Sequence, residues 1–298
     1  MKRFPAPRKS SIAEIEEEAA FARDLYANRR PQEGRDAYRH AYADAVANVT
    51  ELFDASDDLL SFSTVLRTRM SLLDAARYLD APPISADDLE TVSGFVKSSI
   101  TVPAIAARTN VIAAGLDPDR FPWLFETPVR GPYPAERSSA IRVTAALIAA
   151  QRAATVLRNR WAARQEKAVA DILSANGYTA AARRRIDSFA DLPTGFFCPE
   201  SMVFGQKCDV PVGLRNGRYL LIECKVSGSA VNSYKRLNHE TVNKRDEWER
   251  GFAAQAYTGA VLGGVFRPLN VLAAQERGVF TFWEHDLAPL AEFLKEVG

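Results

Sequence analysis

The chain has 298 residues, with 38 Lys and Arg against 37 Asp and Glu, a formal net charge of +1. Hydrophobic residues make up 47%, and Gly and Pro number 16 each, which excludes a disordered chain, a collagen and a disulfide scaffold. Three cysteines (Cys198, Cys208, Cys224) form no CxxC pair, which speaks against a zinc knuckle and for a reducing, cytoplasmic location.

The basic stretch Met1 to Lys9 lacks an apolar core and does not read as a secretory signal. No run approaches the roughly 18 apolar residues of a membrane span. Ile12, Ile15, Ala19, Ala22 and Tyr26 form a helical stripe. Similar patterns predict helices over 36–53 and 63–79, the latter stopped by Ala81-Pro82-Pro83. Ser85, with Asp88 three residues on, reads as a helix N-cap. The stretch 117–134, with Phe121, Trp123, Phe125 and Tyr133, reads as a packed connector. Residues 135–176 are helical, first Ala-rich and then Arg-rich, with Asn176-Gly177 as C-cap.

After Gly177 the pattern changes. Residues 203–214 and 219–225 read as strands around Arg215-Asn216-Gly217-Arg218, and Asn-Gly between apolar runs is a strong hairpin signal. A helix over 238–256, strands over 259–266 and 279–283, and a helix over 286–297 complete the chain. The expected architecture is α+β or α/β: a helical domain over 1–150, then a mixed central sheet flanked by helices over 151–298.

The charge is uneven. Residues 1–100 carry 13 basic and 17 acidic side chains, a balance of −4, and the remainder carries 25 and 20, a balance of +5. A basic stripe on a near-neutral protein suits a groove for a polyanion; solvated helix surface is the ordinary alternative.

One strand carries a chemical signal. Tyr219-Leu220-Leu221-Ile222-Glu223-Cys224-Lys225-Val226 is apolar until Glu223 and Lys225, which share one face. Charges ending a core strand need pairing or a metal. An ion pair is the simple reading. The sharper one adds Asp209 from the hairpin's first strand. A two-residue turn would set Asp209 opposite Cys224; a three-residue loop with Gly217 left-handed sets it opposite Glu223. The second register is the expected one. Two carboxylates on adjacent strands can hold a hard cation, most naturally Mg²⁺, one or two per site. Lys225 beside them suits phosphodiester hydrolysis. Glu166, on the helix feeding the sheet, is a further candidate as a second-cation ligand or water anchor; a surface Glu beside Lys167 is its ordinary alternative.

Asp209…Glu223-Cys224-Lys225 resembles the PD-(D/E)xK nuclease superfamily, with Cys208 where that superfamily usually has Pro. Further segments resemble the XamI-type restriction endonucleases: residues 77–89, 120–125, 146–152, 165–166, 223–229 and 231–238. The resemblance runs from about residue 70 to 240 and implies a PD-(D/E)xK core over 151–298. It implies a type II site-specific deoxyribonuclease: Mg²⁺-dependent cleavage of double-stranded DNA by a homodimer, alongside a cognate DNA methyltransferase. By the same resemblance Asp209, Glu223 and Lys225 are catalytic and Glu166 assists, with Asp209, Glu223 and Glu166 as metal ligands.

The polar stretch after Lys225 offers Ser227, Ser229, Asn232, Ser233, Lys235, Arg236 and Asn238 as candidate DNA contacts, with a solvated connection as the alternative. Lys244 is counted with them, although exposed helix charge is the ordinary state of such a residue. Arg184 and Arg185 are candidate phosphate contacts in a run that reads nearly as well as a solvated loop. Two other functions stay open on the residues alone: a structure-specific repair or recombination nuclease, and a non-catalytic DNA-binding module.

Overall fold

A computed structural model describes residues 10–96, 98–252 and 255–297, with all their side chains except those of residues 230, 232, 236 and 239. The chain forms two compact units: Gln32–Leu157, and Met1–Pro31 joined with Arg158–Gly298. The division expected at residue 150 therefore lies at 157, and the first 31 residues belong with the C-terminal part. The reason is packing: Ile15, Ala19 and Ala22 are buried in one core with Ala260, Leu262, Val279 and Trp283.

Two long helices run from one unit into the other. The first, α1 (Ile12–Ala55), is continuous for 44 residues through Pro31, where two helices are predicted. In the Gln32–Leu157 unit, the helix predicted over 63–79 is broken. It becomes α2 (Phe62–Thr68), a 3₁₀ turn (Met70–Leu72) and α3 (Leu73–Ala76). Helix α4 (Ala86–Ser93) starts as expected: the Ser85 hydroxyl accepts the Asp88 N–H at 2.9 Å. Helix α5 (Val102–Ala114) has no counterpart in the predicted elements.

The core of this unit buries Phe53, Leu66, Leu79, Ile112, Phe121, Trp123 and Ile148 completely. Of the aromatic connector, Phe121 and Trp123 are therefore core, whereas Phe125 and Tyr133 are exposed. Two family-like segments act structurally here. Arg120 donates to the carbonyls of Tyr78, Leu79 and Asp80 at 2.8, 2.9 and 2.8 Å while pairing with Asp117 at 2.7 Å. Arg77 donates to the Ile84 carbonyl at 2.6 Å. Both arginines hold backbone carbonyls of the loop between α3 and α4.

The second long helix, α6 (Pro134–Ala175), holds an 18-residue window of mean hydropathy 1.3, long and apolar enough by composition to cross a membrane. The average is raised by many small alanines and is not a continuous apolar run, so the expectation that no run approaches 18 apolar residues is unaffected. Ala140, Ile141, Ala145 and Ile148 of this helix are core residues, and the core helix of a globular unit passes the same test.

The unit holding residues 158–297 is built on sheets. The strands are β1 (Thr179–Ala180), β2 (Arg185–Ile186), β3 (Phe196–Phe197), β4 (Ser201–Val203), β5 (Gln206–Cys208), β6 (Val210–Gly213), β7 (Tyr219–Ser227), β8 (Ala256–Gly264) and β9 (Val279–Trp283). The main sheet has the order β1-β3-β6-β7-β8-β9, and a small sheet the order β2-β4-β5. The main sheet is mixed: β6 is antiparallel to β3 and β7, while β7, β8 and β9 run parallel. The strand predicted over 203–214 is three short ones. Phe204 and Gly205 turn left-handed between β4 and β5, and Asp209 separates β5 from β6.

After β7 come α7 (Ala230–Tyr234), a π-helical turn (Lys235–Thr241) and α8 (Val242–Gly251). Helical structure thus begins eight residues before the predicted start at 238 and ends at 251. Helix α9 (Pro268–Glu276) is unpredicted, β9 matches its predicted span, and α10 (Ala288–Val297) closes the chain.

Alternation along β7 decides what surrounds the site. Leu220, Ile222 and Cys224 pack with Val169 and Leu173 of α6 and with Leu290 and Leu294 of α10. Tyr219 and Leu221 pack instead with Trp248 and Phe252 at the α8 end and with Val203 and Cys208 of the small sheet. Glu223 and Lys225 follow Tyr219 and Leu221 in the alternation.

Candidate active site

The hairpin fixes the site. Val210 pairs with Ile222, Pro211 with Leu221, Val212 with Leu220 and Gly213 with Tyr219. Continuing this register puts Asp209 against Glu223. The loop is Arg215-Asn216-Gly217, closed by Leu214 N–H to the Arg218 carbonyl at 2.8 Å, with Gly217 at φ +81°. This is the three-residue loop that the sequence requires for the site.

Glu223 is fully buried. Its Oε2 accepts from the Lys225 ammonium at 2.7 Å and from the Lys244 ammonium at 2.7 Å. Its Oε1 is buried without a hydrogen-bond partner among the described residues. Asp209 turns its Oδ2 to the Cys224 N–H at 2.7 Å and lies 3.9 Å from the Lys225 Nζ. The side chains of Lys225, Asp209 and Lys244 are 11%, 18% and 19% exposed, so solvent screens these charges only partly.

The charges are mutually tuned. Burial and the Glu223 charge raise the Asp209 pKa, against the opposing pull of Lys225. Burial works against the Lys225 ammonium, but Glu223 and Asp209 outweigh it and hold its pKa above the ordinary lysine value. Burial pushes the Cys208 and Cys224 thiols well up, which makes both poor nucleophiles.

Glu166 sits half-buried on α6. Burial, then the charges of Asp209 and Glu200, raise its pKa. Among the described residues, no three His, Cys, Asp or Glu side chains gather closely enough to hold a metal by themselves. Glu166, expected as a second-cation ligand or water anchor, lies outside any such cluster but close enough for the Asp209 charge to act on it. Its neighbour Gln165 is fully buried and points its Nε2 at the Lys225 carbonyl, 3.5 Å away.

The donor set still suits a hard divalent cation. Two carboxylates meet across one hairpin, and one carboxylate oxygen is buried without a partner. Mg²⁺ commonly takes one or two carboxylates and completes its shell with water and substrate phosphate.

The candidate DNA contacts divide. Lys235 and Arg185 are exposed, and Ser229 is half-buried. Ser227, Ser233 and Asn238 are buried, and two of them serve the backbone. The Ser227 hydroxyl donates to the Ser229 carbonyl at 2.8 Å and the Asn238 amide to the Asn270 carbonyl at 3.2 Å. As placed, these three do not face solvent. Arg184 donates to the Asp191 carbonyl at 2.9 Å, and Arg185 pairs with Asp187. The side chains of Asn232 and Arg236 lie outside the described ones. Lys244 is neither a free helix charge nor turned to the surface: it is the second cation on Glu223. Only one sequence signal touched it, its place four residues before the buried Trp248 on the same helix face.

A family model described as XamI restriction endonuclease matches residues 60–283. The chain belongs to that family. A curated relative, the type II restriction enzyme XamI of Xanthomonas campestris pv. amaranthicola, is 34% identical over 262 residues, 83% of this chain and 93% of the relative. The XamI-family match spans both compact units and includes Asp209, Glu223, Lys225 and Lys244. A solved structure, protein VC1899 from Vibrio cholerae, overlaps 90% of this chain and 58% of its own, at 15% identity and a TM-score of 0.30. That overlap is too loose to bear on the fold.

Proposed function

We propose that this member of the XamI family hydrolyses double-stranded DNA at a short defined sequence, using a PD-(D/E)xK-type site made of Asp209, Glu223 and Lys225. The carrying observation is the hairpin register, which sets Asp209 against Glu223 with Lys225 two residues on along the same strand. Water oxygen bonds to phosphorus, one P–O ester bond breaks, and the leaving oxygen takes a proton.

Asp209 and Glu223 would hold Mg²⁺, one or two ions per site. When bound, the cation supplies positive charge at the scissile phosphate. Lys225 is held protonated by its two carboxylates, so its role is to stabilise the negative charge that builds on phosphate and attacking water, and not to act as a base. Glu166, whose pKa is raised by burial and then by the Asp209 charge, would anchor a water near Asp209. We extend the reading to a homodimer on duplex DNA, paired with a methyltransferase that protects the same sequence.

Plasmid DNA incubated with Mg²⁺ and the protein tests the reading. Discrete fragments that disappear in both Asp209→Ala and Lys225→Ala support it. Undiminished cutting by both variants would refute the assigned residues.

A further inference from the structure

The site holds one more charge than phosphodiester hydrolysis by two carboxylates and a lysine calls for. Glu223 Oε2 carries two ammonium groups at the same distance, 2.7 Å. The two lysines differ in how they are held. Lys225 is on the same strand as Glu223, two residues along, so strand geometry presses it onto that face. Lys244 reaches in from α8, 21 residues away in the chain. It also donates to the Lys207 carbonyl at 2.6 Å, in the middle of β5. Lys244 can withdraw along its flexible four-carbon stem without unmaking the β6–β7 hairpin.

The charge balance gives this arrangement a consequence. Asp209 and Glu223 bring two negative charges, and Lys225 and Lys244 bring two positive ones. A divalent cation can take the unpartnered Oε1 of Glu223, but it then meets two ammonium groups on Oε2 of the same carboxylate, and withdrawal of one relieves that repulsion. Lys225 is held by two carboxylates, at 2.7 Å from Glu223 and 3.9 Å from Asp209. Lys244 has Glu223 and a carbonyl, so it is the one that gives way.

We propose that Lys244 is a displaceable counter-ion of Glu223 that competes with the divalent cation for the same carboxylate. The inference rests on the reading of Asp209 and Glu223 as the cation-holding pair. It makes Lys244 a positioning residue. It fixes the buried carboxylate when no cation is bound and sets how tightly the cation is taken up. The arriving phosphate of DNA then offers the released ammonium a new partner, so cation and DNA binding favour each other.

The test is Mg²⁺ binding by titration calorimetry, on the full chain without DNA. Lys244→Gln keeps a donor for the Lys207 carbonyl but removes the charge. Lys244→Met removes both. A unit charge a few ångströms away in a partly buried site is worth at least about tenfold in affinity. Both variants should therefore bind Mg²⁺ at least about tenfold more tightly than the wild type, and Lys244→Arg should stay near it. Melting curves confirm that each variant is folded, and a purely structural lysine would move the melting temperature and leave Mg²⁺ affinity alone. Glu223→Gln separates the two layers of the argument. If it abolishes Mg²⁺ binding while Lys244→Gln and Lys244→Met leave affinity unchanged or weaker, the proposal for Lys244 is overturned and the cation-holding pair stands. If Glu223→Gln binds Mg²⁺ as well as the wild type, the pair itself is misassigned and the proposal falls with it.

Discussion

Asp209→Asn should cost the protein its cutting and gain it stability. The Asp209 carboxylate has two gains and two costs. Lys225 at 3.9 Å is worth a gross ~4 kcal/mol at an effective dielectric near 20. The Cys224 N–H at 2.7 Å adds roughly 1.5–3 kcal/mol as a bond to a charged acceptor. Against these stand several kcal/mol for burying the charge and the repulsion of Glu223. The raised pKa says that the costs win. The folded protein thus holds the Asp209 proton more tightly than the unfolded chain does. The penalty is absent below the ordinary Asp value of 3.8 and fully present once pH exceeds the raised folded value. Asn is neutral, has the same shape and still accepts the Cys224 N–H. The expected gain at pH 7 is about 0.5–2 kcal/mol, the usual size when a functional strain is relieved. That corresponds to a rise in Tm of roughly 1–8 °C for a unit of this size. Calorimetric melts at pH 7 and pH 3.5 read it directly. A lower Tm than wild type at pH 7, or a gain that persists undiminished at pH 3.5, would refute the reasoning.

Three further outcomes follow from the same geometry. Lys225→Met should destabilise by less than the roughly 3–5 kcal/mol of a broken buried pair, because Lys244 still faces Glu223. Since the Lys225 pKa is raised, its contribution is complete below about 10.5 and fades as pH climbs through the folded value; urea melts from pH 7 to 11 should show the variant's deficit shrinking only at the alkaline end. Gly217→Ala meets no atom within 4 Å but must hold φ +81°, so its cost should be the backbone strain alone, about 1–2 kcal/mol by denaturation. Gly213→Ala places its methyl 2.4 Å from the Pro193 carbonyl oxygen, backbone that cannot swing aside, and should cost more than Gly217→Ala; the reverse order would contradict the packing at β6.

The part of the site carried by one hairpin was legible from sequence. Alternation put Glu223 and Lys225 on one face, and the loop length needed to bring Asp209 opposite them is the one observed. Lys244 was not legible, because nothing in local spacing says that α8 folds back over the β7 face. The polar stretch after Lys225 misled for a physical reason. Hydroxyl and amide side chains suit DNA, but they equally suit backbone carbonyls of the protein itself: Ser227 serves Ser229 just after β7, and Asn238 serves Asn270 of α9. Strands β1, β2 and β3 are two residues each, too short for any alternation to register. Strand β9 carried enough apolar residues for its bounds to be read off directly. The stripe Ile15, Ala19, Ala22 announced a helix but not its partner, since that partner is more than two hundred residues away.

That distance bears on how the enzyme is made. The core joining Ile15, Ala19 and Ala22 to Leu262, Val279 and Trp283 cannot close until the ribosome has translated the last of these, and the Glu18–His285 contact spans 267 positions. At usual elongation rates, the first helix waits roughly 10–50 s for its neighbours. Every residue of the β6–β7 hairpin is synthesised within that interval. A nascent chain therefore carries its chemical groups before it has the sheet edge and helix that finish the unit around them.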